Sequence, residues 1–240
     1  SKRAKAKTAT KPVEKKRFIY IIYGEKSPFH NPFKINRKKK LNMLTKSEIA
    51  RKIMHILTGI AIVAAYYYDI IRPLTIFLII IAGIFASLIS KRVKLPLLHF
   101  ILTHLEREEH RKTFPGKGFI FFFIGVLFVM QLFPKDIALA SMMVLTFGDS
   151  ISHIIGGQFG QIKNIFNGKS KKLLEGTIAG TISGFLAALL FVPFTPAFLG
   201  SFAAMVAEVV QIDLNQSQID DNLIVPLVAG TVMYLVKIYL

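Results

Sequence analysis

The chain reads as seven apolar stretches separated by short polar or turn-forming segments. They run over residues 48–68, 73–90, 118–133, 137–155, 173–192, 197–212 and 222–240. A helix that crosses about 30 Å of hydrocarbon needs about 20 apolar residues, and most of the stretches approach that length. The third and sixth are short, so they need burial against neighbours or local thinning of the bilayer. The separators DIIRP at 69–73, PKD at 134–136 and VPFTP at 192–196 are tight bends without room for a soluble domain. The pattern predicts an all-α integral membrane protein with about seven transmembrane helices, occupying residues 47–240.

Composition adds a second part. The 240 residues are 52% hydrophobic, yet the chain carries 31 Lys+Arg against 14 Asp+Glu, a net charge of +17. Residues 1–46 hold 15 of those basic residues and only two acids, Glu14 and Glu25, a net of +13; residues 47–240 hold 16 against 12, a net of +4. The first 46 residues are therefore expected to form a basic cytoplasmic tail, disordered because so little apolar surface is available to offset chain entropy. Anionic lipid headgroups are its expected partner, at about 1 kcal/mol per basic residue near the surface; nucleic acid is not. The run FIYIIY at 18–23 is too brief to cross a bilayer and lacks the form of a secretory signal. With no cysteine in the chain, disulfides, thiolate catalysis and Cys-ligated zinc are excluded.

Charge also predicts orientation. With the N-terminus cytoplasmic and seven spans alternating, 28 of the 31 basic residues fall on the inner side, leaving Arg72, Lys135 and Lys237 outside, as the positive-inside rule requires. The inner segment before the third span carries His99, His104 and His110 among apolar residues at helical spacing. Without HExxH, an interfacial amphipathic helix is expected there in preference to a zinc site.

Candidate chemistry concentrates between 147 and 180. Asp149 lies in an otherwise apolar stretch, where an ionisable group costs about 2.5 kcal/mol or more unless a cavity, partner or metal receives it. Gly156, Gly157 and Gly160 follow, then Lys163, Lys169, Lys171 and Lys172. Glycines allow close approach of backbone amides to an anion, lysines meet phosphate oxygens, and an upstream acid can hold the Mg²⁺ that accompanies a nucleotide. The order acid, glycines, lysines suggests a nucleotide site, although neither GxxxxGK[ST] nor GxGxxG is present. Gly176, Gly180 and Gly184, at four-residue spacing, are expected to serve helix packing.

GDSISHIIGGQFGQIK at 148–163 followed by KKLLEGTIAG at 171–180 resembles the signature of the CTP-dependent lipid kinases, the family of dolichol kinase, phytol kinase and CTP-dependent diacylglycerol kinase. RKIMH at 51–55 and DNLIVP at 221–226 are similar to two further elements of that family, in the same order. The resemblance covers roughly 48–240 and leaves the tail outside. It implies CTP as phosphoryl donor, Mg²⁺ as cofactor, and a lipid alcohol in the bilayer as acceptor, of isoprenoid (dolichol, polyprenol or phytol) or diacylglycerol type. It implies Asp149 as the essential acid, with Arg51, Lys52 and Lys172 as catalytic basic residues. Gly148, Gly156, Gly160, Lys163, Glu175 and Gly176 become candidates for nucleotide binding, and Asp149, Asp221 and Asn222 for the metal, with His55 and Glu208 as further candidates. Leu173 stands where the family carries Ser or Thr, and Ser152 where it carries Ala, which puts a hydroxyl contact to phosphate at 173 in doubt.

Two rival readings share parts of this pattern. A CTP:phosphatidate cytidylyltransferase also needs an acid, glycines and a Lys-x-x-Glu-Gly element, but its C-terminal HGG and DRxD signature is missing. A small transporter would use Asp149 and the glycine break as an intramembrane site, yet only one such break and no internal repeat are found.

Overall fold

The computed structural model describes residues 44–90, 115–166, 172–210, 213–214, 217–218 and 220–240. The proposed tail up to residue 43, the histidine-bearing segment 91–114, and Lys169 and Lys171 lie outside the described residues. Within them the chain forms helices α1 (Lys46–Tyr67) and α2 (Pro73–Ser90). Next come α3 (Lys117–Leu132), the long α4 (Lys135–Phe159), α5 (Leu174–Ala188), α6 (Phe194–Val210) and α7 (Asp221–Tyr239). Two two-residue strands, β1 (Asp213–Leu214) and β2 (Ser217–Gln218), pair antiparallel between α6 and α7. Among the described residues the fold is all-α apart from that small ladder.

Local chemistry sets the ends of the helices. Thr45 caps α1: its hydroxyl accepts from the Glu48 amide (3.2 Å), while the Glu48 carboxylate accepts from the Thr45 amide (3.1 Å), a reciprocal capping box. After α1, Asp69 takes a left-handed backbone (φ 57°) and Pro73 opens α2, where its missing N–H costs nothing. Asp220 caps α7 by accepting from the Asn222 amide at 3.1 Å.

Four of the described helices, α1, α2, α4 and α7, are long and apolar enough to cross a bilayer; α3 and α6 are apolar but shorter, as expected. The fifth stretch corrects the expectation. Helix α5 ends at Ala188 rather than continuing to 192, because Leu189 to Val192 turn ahead of Pro193, and the residue before a proline is pushed out of helical backbone. The sixth begins earlier than expected, at Phe194, since Pro196 sits in the first turn, where a helix tolerates it.

Helix α4 is the centre of the bundle: every residue from Ile137 to Thr146 is buried. A helix covered on all sides cannot face lipid, so its neighbours form the bilayer surface, with Leu74, Phe77, Leu78 and Phe85 of α2 and Phe194, Phe198 and Phe202 of α6 exposed. Close helix contacts are made at small residues. A Cβ on Gly59 of α1 would strike Thr146 of α4, one on Gly176 would come 2.6 Å from the Ser152 carbonyl oxygen, and one on Gly200 of α6 would strike Met233 of α7. Pro226 inside α7 has no N–H to offer the Asn222 carbonyl one turn back. Gly125 of α3 lies directly against that carbonyl, so the break in the α7 ladder coincides with the closest approach of α3.

One end of the bundle is closed by exposed charge pairs. Lys135 donates to Asp69 (2.7 Å) and to the Tyr67 carbonyl (3.0 Å), and Lys237 donates to Asp136 (2.5 Å). Such pairs contribute about 0.2–1 kcal/mol each. Their position fixes the ends of α1, α4 and α7 relative to one another and leaves the other end for the buried charges.

Candidate functional site

At that other end, a six-residue π-turn interrupts α4 over Val144–Asp149. A π-turn adds a residue to the helical turn and rotates everything after it by about 100° relative to a regular helix. Asp149 is its last residue. The Thr146 hydroxyl donates to the Met142 carbonyl at 2.7 Å, adding a bond where the ladder widens.

Asp149 is only 4% exposed, and its carboxylate accepts from the Lys52 ammonium of α1 at 2.6 Å. Beside this pair lies a second group. Lys172, immediately before α5, donates to Asp221 at the start of α7 (2.8 Å) and to Glu208 near the end of α6. Ligand oxygens of Asp149, Glu208 and Asp221 all fall within 4.8 Å of one another. Glu208 is 1% exposed and its Oε2 accepts no hydrogen bond among the described residues. Burial works against the Lys172 ammonium, but Glu208, Asp221 and Asp149 outweigh it and hold its pKa above the ordinary lysine value. Three carboxylates and two ammonium groups leave the cluster at −1. Buried ions of like sign so close together require compensation, and here five helices contribute one charge each, with Lys172 just ahead of α5.

Three carboxylate oxygens without nitrogen or sulfur are the donor set that suits a hard divalent cation such as Mg²⁺. The buried, unbonded Oε2 of Glu208 is a lone pair such an ion would satisfy. The residues present therefore fit a divalent cation. Asn222, also expected in the metal set, adjoins Asp221 and directs its amide nitrogen to Asp220 (2.8 Å) and to the Gly118 carbonyl (3.5 Å).

Over 191 residues the chain is 31% identical to an uncharacterized protein of Methanocaldococcus jannaschii, covering 78% of this chain and 92% of that one. It is 27% identical over 158 residues to CTP-dependent diacylglycerol kinase 1 of Schizosaccharomyces pombe (57% of this chain, 66% of the kinase). It is 29% identical over 221 residues to phytol kinase 1, chloroplastic, of Arabidopsis thaliana (82% and 68%). The chain belongs to the CTP-dependent lipid kinase family. It is a multi-pass membrane protein, with four described helices long and apolar enough to cross a bilayer. The chain spans just under two thirds of the fission yeast kinase. No family model matches the chain, and no solved structure does.

The remaining candidates of this family member separate into three groups. Arg51 is partly buried beside Lys52 on α1. His55, one turn on, sets its ring edge-on to Phe122 of α3 (centroids 4.8 Å apart), with Nε2 buried and without a hydrogen-bond partner among the described residues. The glycines lie at helix contacts: Gly148 against Met205 and the Gly180 carbonyl, Gly156 against Gly176, and Gly160 against Leu173 and the Gly156 carbonyl. Their lack of a side chain is what brings α4 and α5 together behind Asp149 and Lys172.

The third group shapes the loop between α4 and α5. The Glu175 carboxylate accepts from the amides of Gln161 (2.8 Å) and Ile162 (3.0 Å). Lys163 pairs with Leu173 in an isolated antiparallel bridge, and its side chain is exposed. Asn164, 2% exposed, donates to the Thr177 hydroxyl at 2.7 Å. The loop is thereby pinned at its root, where Lys172 emerges. Asn164 escaped the motif reading, and a polar residue just after the glycine-lysine run was its only sequence signal; Glu208 had a sharper one, an acid inside an apolar stretch.

Removing the Glu175 carboxylate tests this pinning. Hydrogen bonds to a charged acceptor contribute about 1.5–3 kcal/mol each, so Glu175→Ala should loosen the loop without unfolding the bundle. Amide hydrogen exchange at Gln161 and Ile162 should accelerate about tenfold or more, with exchange in α4 before Asp149 unchanged. Unaltered loop exchange would remove Glu175 from this role.

Proposed function

We propose that this chain is a lipid kinase that transfers the γ-phosphoryl group of CTP to the hydroxyl of a membrane lipid, an isoprenoid alcohol of the dolichol, polyprenol or phytol type or a diacylglycerol-like lipid. The observation that carries this reading is the cage of Asp149, Glu208 and Asp221 interleaved with Lys52 and Lys172 at one end of an apolar bundle. Phosphoryl transfer needs positioning and charge stabilisation more than covalent catalysis, and this cage supplies both signs of charge on fixed helices. The bond from phosphorus to the acceptor oxygen forms, the bond from phosphorus to CDP breaks, and the hydroxyl proton is released.

In this reading Asp149, Glu208 and Asp221 hold Mg²⁺, which when bound neutralises phosphate charge. Lys172, Lys52 and Arg51 supply positive charge to the phosphates, and Glu175 keeps the Lys172 loop in place. Phe159 at the end of α4 and Ile165 and Phe166 on the loop that follows are exposed apolar residues, suited to the headgroup boundary, which supports an acceptor drawn from the bilayer. The site-bearing end faces the cytoplasm, on the strength of the 28 basic residues assigned to that side, and the tail lies on anionic headgroups.

The test is transfer from γ-labelled CTP, against ATP, by the full chain in nanodiscs containing phytol, geranylgeraniol, dolichol or diacylglycerol. A labelled lipid phosphate with stoichiometric CDP is expected. Pyrophosphate release would favour the cytidylyltransferase chemistry, and no transfer to any acceptor would reject the kinase reading.

A further inference from the structure

Lys172 and a divalent cation make the same demand on the same oxygens. The ammonium donates to Glu208 and to Asp221 (2.8 Å), two of the three carboxylates whose oxygens lie within 4.8 Å of one another. The third, Asp149, is held by Lys52 at 2.6 Å. We propose that Lys172 and the divalent cation are alternative occupants of this cage, so that the cation enters together with the nucleotide and sends the ammonium onto a phosphate oxygen. This rests on the kinase reading of the site for the nucleotide's part, but the exchange itself concerns only the chain's own residues and the cation.

Charge arithmetic supports exchange over co-residence. The cage stands at −1, from three carboxylates and two lysines. A divalent ion added beside both lysines would take it to +1 in a largely buried site, which is unfavourable unless an anion arrives as well. If Lys172 leaves, the same oxygens and the same ion sum to zero. Lys172 can leave because it ends a loop and its side chain is 18% exposed, on a flexible four-carbon stem. Asp221, at 34% side-chain exposure, marks the side on which the cage opens. Glu208 cannot follow the ammonium out, since it is 1% exposed on α6, and its Oε2, without a hydrogen-bond partner among the described residues, is open to an ion that enters. Lys172 thus keeps the carboxylates apart from free cation and couples metal entry to nucleotide.

The experiment measures Mn²⁺ binding by electron paramagnetic resonance on the full chain in nanodiscs, without nucleotide. Lys172→Met keeps the length of the side chain and removes its charge. It should bind Mn²⁺ about tenfold or more tightly than the wild type, as removal of a competing charge at this range implies; Lys172→Arg should bind like the wild type. Equal or weaker binding by Lys172→Met would overturn the exchange. A second measurement uses the unaltered chain: Mn²⁺ alone should raise the rate at which acetic anhydride modifies Lys172, read by mass spectrometry, and an unchanged or slower rate would overturn the proposal even if Lys172→Met does not fold. Tighter Mn²⁺ binding with no further effect of CTP would uphold the exchange while rejecting the nucleotide reading, so the two fail separately.

Discussion

Asp149→Asn should reduce CTP-dependent phosphorylation by roughly a hundred- to a thousandfold, the order seen when a preorganised charge-stabilising group is lost, while the protein still inserts and folds. The substitution keeps the shape of the side chain and its ability to accept a hydrogen bond from Lys52. What it removes is one of three negative charges in the cage, so that two carboxylates face two ammonium groups and little attraction for a divalent cation remains. The position offers no substitute ligand, because Asp149 ends the π-turn and is 4% exposed. Breaking a buried ion pair from one side is ordinarily costly, but Lys52 is 18% exposed and can regain water, so the melting temperature should fall only modestly. Loss of activity together with loss of Mn²⁺ binding in a folded protein is the expected result; full activity in Asp149→Asn would remove Asp149 from the chemistry.

Gly180→Leu should disrupt folding. A Cβ at 180 would lie 2.7 Å from Met205 Sδ and from Ser152 Cβ, and 2.8 Å from the Gly148 carbonyl oxygen. Met205 can shift, since a thioether is flexible, but the α4 backbone at Gly148 cannot. Overpacking a core costs about 1–3 kcal/mol when side chains can adjust, and here α5 must separate from α4. The expected outcome is loss of a folded, monodisperse species in detergent, followed by thermal unfolding and size-exclusion chromatography. Gly184→Ala is the control, because its nearest neighbour would be the Val144 Cγ1 methyl at 3.3 Å, and that variant should fold. A stable Gly180→Leu protein would show that α4 and α5 are not held by this contact.

These two positions also mark how far linear reading reaches. Asp149 was legible because an ionisable residue in an apolar stretch is expensive, and that cost is visible without coordinates. Gly176, Gly180 and Gly184 were legible as a packing face through their four-residue spacing. The role of Gly156 was not settled in the same way: a glycine beside lysines is consistent with an anion site and with helix contact, and only the approach of α5 puts Gly176 within 3.3 Å of a Cβ built there. Glu175 reads as one member of a motif; its partners, the amides of Gln161 and Ile162, are backbone groups that carry no sequence signal.

By itself the sequence determined that this is a helical membrane protein, where its helices lie to within a few residues, and which family it resembles, because hydrophobic length, turn residues and motif order are local properties. It also separated the +13 of the first 46 residues from the +4 of the body. Only the tertiary structure decided which charges meet. Lys52 and Asp149 are 97 residues apart, and Lys172 is 36 from Glu208 and 49 from Asp221. Those pairings depend on the π-turn in α4 and on glycine contacts that draw five helices to one end, and a buried carboxylate takes whichever cation the packing brings within reach.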